Sequence, residues 1–169
     1  MSINSNVEYL VFLHQCGVST FLKDSPNNFY LENNPKPTHN EGLINNLDEI
    51  TSLDQLENYI NGSTNCTLKK YANKTVFSDG NPSSKIMFIG EAPGADEDKV
   101  GKPFVGLAGQ LLTKMISAID LSREDVYITN IVPWRPPNNR TPNTEEVLQC
   151  LPFVQKHIDI IKPKIIILL

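Results

Sequence analysis

The chain has 169 residues, enough for one domain with a real hydrophobic core and cramped for two. Hydrophobic residues make up 40% and charged residues 20%, the balance of an ordinary soluble globular protein. A formal net charge of −4 argues against a protein that coats nucleic acid through bulk positive charge, while leaving room for a local basic rim around a pocket.

At the N-terminus, Met1-Ser2-Ile3-Asn4-Ser5-Asn6-Val7-Glu8 lacks a positive leader, and Tyr9–Leu13 is too short for a signal core or a membrane span. The three cysteines, Cys16, Cys66 and Cys150, are an odd and widely spaced set. That suits buried thiols in a reducing, cytoplasmic compartment better than a disulfide framework. Residues 7–16 predict a short helix ended by Gly17, and the Asn- and Pro-rich stretch 25–43 reads as linker. Thr51-Ser52-Leu53-Asp54 opens a helix capped by Ser52 or Thr51, with Leu53, Leu56, Tyr59 and Ile60 on one side.

From Lys85 onward the pattern sharpens. Ile86–Ile89 is a continuous apolar run of the kind a buried parallel strand has. A Gly/Pro/acid loop follows, then a helix with Leu111, Leu112, Met115, Ile116 and Ile119 assigned to one face. Val126–Ile131 is the next strand. Thr141-Pro142 starts a helical segment, with Pro142 suited to the first helical position and Pro152 expected to kink or split it. Val147, Leu151, Val154, Ile158 and Ile161 form its apolar spacing, and Lys164–Leu169 is a third apolar strand. Strand-helix-strand-helix-strand predicts an α/β fold, a three-layer αβα sandwich on a central parallel sheet. We expect residues 1–60 to be an N-terminal helical extension and linker, and residues 61–169 to be the α/β domain. The last strand has no covering helix within the sequence, so the domain is expected to be incomplete at its C-terminus.

Ligands of open α/β sheets sit beyond the carboxyl ends of the strands, which singles out two loops: 90–106 and 130–140. Gly101-Lys102 invites comparison with a phosphate-binding P-loop, but Asp96 and Pro103 occupy positions that motif reserves for Gly and for Ser or Thr. No G-x-G-x-x-G follows the first strand, and no polymerase-like metal-carboxylate constellation is present. The first loop offers a glycine turn with backbone N–H groups, clustered carboxylates and an aromatic at Phe104. The second offers an amide at a strand end, Asn130, with arginines nearby. An amide both donates and accepts, as a pyrimidine edge demands; an aromatic face stacks a flat base; arginines reach phosphates. Each feature also has a plainer reading: a solvated acidic loop, a core phenylalanine, a strand-end cap, surface arginines and structural thiols.

Taken together, Val76–Pro82, the strand, GEAPG, the acidic run, GKPFVGLAGQLL, YITN, WRPPNNRTP and CLPF resemble the uracil-DNA glycosylase superfamily, specifically its family 4. The stretch Glu8–Gly17 looks like the N-terminal extension of the alphaproteobacterial members. The resemblance implies that the backbone of Gly90, Glu91 and Ala92 approaches the uracil. It gives Glu91 and Glu97 catalytic roles, with Glu97 matching an acidic residue that activates or orients water. Phe104 would stack on the flipped base, Asn130 would read its polar edge, and Arg135 and Arg140 would contact DNA.

The chain departs from the family in two places. Family 4 usually holds a four-iron cluster on four cysteines; here Ser63, Cys66, Trp134 and Cys150 stand at those positions. Two thiolates do not hold such a cluster without outside ligands, so no cofactor is expected, with Trp134 filling that volume and a degenerate cluster site as the alternative. The family's second motif, whose His stabilises the leaving uracil, lies beyond the third strand, and His14, His39 and His157 do not sit in a matching context. The expectation is a monomer that acts on uracil-containing DNA and not on membranes. Its glycosidic hydrolysis is expected to be weakened or lost, leaving a uracil- or DNA-binding remnant or one half of a split enzyme with a separately encoded C-terminal fragment.

Overall fold

The computed structural model describes residues 47–64 and 66–169. The helix expected at 7–16, the linker at 25–43, and Cys16, His14 and His39 lie outside the described residues.

Helix α1 (Leu53–Gly62) begins where the sequence puts it. The Ser52 side chain accepts from the Gln55 N–H and the Gln55 side chain accepts from the Ser52 N–H, a reciprocal capping box. Leu56 and Ile60, four residues apart, fall on the buried face of this helix. They join Leu47, Ile50, Cys66, Leu68, Phe77, Val132, Trp134, Cys150 and Phe153 in one apolar cluster.

The sheet has four strands: β1 (Ser78–Gly80), β2 (Ile86–Gly90), β3 (Tyr127–Asn130) and β4 (Ile165–Leu168), in the order β1-β3-β2-β4. Strand β2 pairs parallel with both β3 and β4, as the apolar runs predict. Strand β1 was not expected. It pairs antiparallel with the outer edge of β3, and its Ser-Asp-Gly sequence carries no apolar alternation to announce it.

Helices α2 (Ala95–Val100), α3 (Leu107–Ser117) and α4 (Thr144–Ile161) come next along the chain, the last two as the sequence predicts. The acidic run expected as loop is the short α2, where Asp96, Glu97 and Asp98 occupy the first turn and meet the positive end of the helix dipole. Side chains alternate across the central strands. Phe88 and Ile128 turn to one face and pack with Leu112 and Ile116 of α3. Met87, Ile89 and Tyr127 turn to the other and pack with Val154 of α4. The result is the expected three-layer αβα arrangement.

Three details of the sequence reading are corrected. On α3, only Leu112 and Ile116 face the sheet; Leu111, Met115 and Ile119 are more than half exposed, as is Leu107. Adjacent residues on a helix differ by about 100°, so one stripe takes the sheet and its neighbour takes the outer surface. Helix α4 starts after Pro142, because Asn143 caps it by accepting from the Glu146 N–H while Glu146 accepts from the Asn143 N–H. Pro152 lies inside α4 without splitting it, and the deepest burial on this helix falls on Glu146, Cys150, Phe153, Val154 and His157.

Strand β4 hydrogen-bonds to β2, yet Ile165, Ile166 and Leu168 are exposed. No helix of the described residues is long and apolar enough to cross a membrane.

Candidate functional site at the strand tips

The chain leaves β2 toward α3 on one face of the sheet and leaves β3 toward α4 on the other. Adjacent parallel strands whose connections depart to opposite faces open a crevice at their carboxyl ends, the usual ligand position in such sheets. Gly90 and Asn130 end the two strands and are directly opposed in register.

Phe104 closes the third side. A Cβ at Gly90 would lie 2.5 Å from Asn130 Oδ1 and 2.5 Å from Phe104 Cζ, so a glycine is what lets the ring and the carboxamide converge on this strand end. Asn130 is 5% exposed, and its Oδ1 is buried without a hydrogen-bond partner. A buried acceptor left unmatched costs about 1–3 kcal/mol; among the described residues Asn130 Oδ1 and Gln149 Oε1 on α4 are such atoms, and only the first lies beside Gly90 and Phe104. Phe104 is half-buried and held at φ 53°, in the left-handed region that non-glycine residues seldom adopt.

The acidic positions divide by environment. Glu91 is exposed at the tip of β2, its carbonyl accepting from the Val132 N–H at 3.0 Å. Ala92 is half-buried against the cluster around Trp134. Glu97 turns inward: Oε1 accepts from the Val105 and Gly106 N–H groups at 2.9 and 2.8 Å, and Oε2 accepts from the Gly94 N–H at 3.2 Å. Burial acts to raise its pKa, but the backbone donors of Gly106, Glu97, Val105 and Gly94 together outweigh burial and hold the carboxyl below its usual range. Asp98 is also buried, accepting from the Asn73 and Lys74 backbone and the Asn73 side chain.

The arginines expected to meet DNA are also distinct. Arg135 is half-buried and donates from Nε to Asn139 Oδ1 at 2.6 Å, within a turn where Asn138 and Asn139 are both left-handed. The Arg140 guanidinium binds Glu146 through two bonds of 2.8 and 2.6 Å and also donates to the Thr141 carbonyl. Arg140 thus fastens the start of α4, while its side chain keeps 44% exposure.

Sequence reading missed Arg123. Its Nε and Nη2 donate to Asp79 Oδ2, Nη2 to the Pro103 carbonyl, and Nη1 to the Phe104 carbonyl and Thr113 Oγ1. No motif marks it, because its partners lie up to 44 residues away along the chain.

Of the four positions that the resemblance implies for a cluster, three meet in one place. Cys66, Trp134 and Cys150 share the apolar cluster, and Ser63 is buried at the end of α1. Cys66 and Cys150 are free thiols in contact: the Cys150 hydrogen bond draws the Cys66 pKa down, while the same contact and burial push Cys150 up. The Trp134 indole is 1% exposed and offers no lone pair, its N–H donating to Thr75 Oγ1 at 3.1 Å. Two thiols, a hydroxyl and an indole do not fit a four-iron cluster. Beside this region, His157 Nδ1 lies 2.8 Å from the Tyr127 hydroxyl, and burial pushes the imidazole pKa down to about 4.

Residues 77–169 match the uracil DNA glycosylase superfamily. The chain is 50% identical over 117 residues to a type-4 uracil-DNA glycosylase of Pyrobaculum aerophilum, covering 69% of the chain and 60% of that protein. It is 50% identical over 121 residues to the type-4 uracil-DNA glycosylase of Saccharolobus solfataricus, covering 71% of the chain and 56% of that protein. With the type-4 enzyme of Sulfurisphaera tokodaii the identity is 48% over 121 residues, 71% of the chain and 55% of the relative. The chain therefore spans less than two thirds of the length of these curated relatives.

Proposed function

The chain belongs to the uracil DNA glycosylase superfamily, and on that premise we propose that it takes a uracil base extruded from DNA into the β2–β3 crevice and hydrolyses the bond between base and sugar. One observation carries this reading: the unpartnered Oδ1 of Asn130, buried opposite Gly90 and beside the Phe104 ring. Uracil presents an N–H between two carbonyls. The N–H would donate to Oδ1, a carbonyl would accept from the carboxamide NH₂, and Phe104 would cover the face of the ring.

Breaking the N-glycosidic bond leaves positive charge on the sugar and negative charge on the departing uracil. Backbone N–H groups of the Gly90–Ala92 turn favour the second, and a carboxylate at the strand tip favours the first. We assign the water to Glu91, which is exposed there. Glu97, committed to three backbone N–H groups, acts by shaping the loop between α2 and α3. Arg135 is assigned to backbone phosphate, with the exposed edge of Arg140 beside it. We propose that no iron–sulfur cluster is bound, on the strength of the donor set around Cys66 and Cys150. The α/β unit in this reading takes in the chain from Leu47, whose side chain joins the core cluster. The protein works as a monomer in the cytoplasm.

Incubation of the purified chain with uracil-containing single-stranded DNA tests the activity: abasic sites should form, and should fall sharply in Phe104→Ala. Product no higher than in that variant refutes hydrolysis by this chain. A second reading, recognition of uracil without chemistry unless further polypeptide packs on β4, is favoured by the exposed Ile165, Ile166 and Leu168. Calorimetric binding of a non-cleavable 2′-fluoro-deoxyuridine oligonucleotide without product from deoxyuridine DNA supports it.

A further inference from the structure

We propose that Arg123 is a positioning residue that sets the pose of the Phe104 ring, an inference that takes its functional meaning from the base-stacking reading above. Phe104 is a poor candidate to hold its own position. It sits between a proline and a glycine-containing loop, with a left-handed backbone that non-glycine residues seldom adopt. Something must over-determine that conformation: Glu97 accepts from the Val105 and Gly106 N–H groups just after the ring, and two further features act on the Phe104 carbonyl.

The first is the guanidinium. An arginine side chain has a planar fork of five N–H donors. Here they are spent on five bonds to four groups: the Asp79 carboxylate, the Pro103 and Phe104 carbonyls and the Thr113 hydroxyl. Both carbonyls that bracket the strained residue are therefore fixed to one rigid plane. That plane is itself fixed to β1 through Asp79 at 2.7 and 3.0 Å and to α3 through Thr113 at 3.2 Å. Lys102 adds a contact to Asp79 from the other side at 3.3 Å.

The second is Gly109. A Cβ at that position would lie 1.9 Å from the Phe104 carbonyl oxygen and 2.0 Å from its carbonyl carbon. Helix α3 thus presses its backbone against the same peptide that Arg123 holds through its carbonyl. The Phe104 backbone is fixed by a guanidinium and a bare helix turn together, and the ring is left against Gly90.

This arrangement differs from ordinary salt-bridge stabilisation in what it makes sensitive. Lysine preserves the charge and the pairing with Asp79, but a single ammonium with three donors does not reach two successive carbonyls, a carboxylate and a hydroxyl at once. Arg123→Lys should therefore leave the fold in place and release the ring.

The test reads the ring directly in the full-length chain by NMR. In the wild type, the Phe104 ring protons should give a cross-relaxation signal to the Gly90 Hα protons, alongside reference signals between Phe88 and Leu112 in the core. In Arg123→Lys the Phe104–Gly90 signal should vanish while the references persist. Binding of the 2′-fluoro-deoxyuridine oligonucleotide should weaken by about tenfold, the size of one lost base stack. Adding Arg123→Lys to Phe104→Ala should weaken binding no further, because both changes remove the same interaction. Retention of the Phe104–Gly90 signal in Arg123→Lys, and in Arg123→Ala where that variant folds, overturns the proposal. Absence of oligonucleotide binding by the wild type would instead refute the stacking reading, and the ring signal would still decide whether Arg123 sets the pose.

Discussion

The strand tips and the pocket around Trp134 are built from opposite materials. At the tips, Gly90, Phe104 and Asn130 keep features that a folding domain has no reason to keep: a left-handed phenylalanine and a buried amide oxygen with no partner. Around Trp134, Cys66 and Cys150 everything is satisfied: the indole N–H has Thr75, the thiols have each other, and Phe153 meets the indole edge-on at 6.1 Å. Under the function proposed above, the retained cost falls where the base would bind. Around Trp134 the side chains serve as packing.

That contrast predicts which substitutions lose stability and which lose binding. Trp134→Ala should have the largest effect on folding, about 3–5 kcal/mol in a urea titration, because it leaves a large cavity in the main cluster. A loss below 1 kcal/mol would mean that the indole is not core.

Acid comes next. The His157 pKa is pushed down to about 4 in the fold, against about 6.5 when unfolded, so the unfolded chain binds the extra proton between those values. Stability is then full above pH 6.5 and falls by about 1.4 kcal/mol per unit, roughly 3 kcal/mol in all, as the pH drops toward 4. His157→Gln, which still offers Tyr127 a partner but does not titrate, should flatten that slope. An unchanged slope would transfer the acid sensitivity to other groups.

Glu97→Gln should cost about 1.5–3 kcal/mol, because a carboxamide brings a donor to face backbone donors. It would thereby place Glu97 with the packing residues. A melt like that of the wild type with activity abolished would return it to the chemistry.

The smallest folding effect belongs to Asn130→Ala, within about 1 kcal/mol, since it removes an acceptor that is already unmatched. The same variant should weaken uracil-oligonucleotide binding by at least about tenfold, the scale of lost hydrogen bonds to a base edge. A large loss of stability with binding intact would invert the contrast.

The sequence made the site more legible than its supports. Apolar runs announce β2, β3 and β4, and Ser52 with Gln55 announces α1, because these signals are local. Gly90, Phe104 and Asn130 come together as the motif order suggests. Strand β1 is silent, because three polar residues become a strand only when the edge of β3 is there to pair with. The apolar spacing on α4 does pack against the core, with Val154 buried and Val147, Leu151, Ile158 and Ile161 partly so; what it omits includes Glu146 and His157, which are polar and find partners in Arg140 and Tyr127. Arg123 was invisible for a related reason: its meaning lies in partners on β1, α3 and the loop before α3, which no linear spacing reveals.

The Trp134 pocket also bears on evolutionary routes. Converting it to a metal-holding form would require Ser63 and Trp134 to become cysteines together. Trp134→Cys alone would empty a large packed volume, and Ser63→Cys alone would leave an indole at the fourth position. The first step loses packing before any metal can offset it, so the order of the two changes would be constrained.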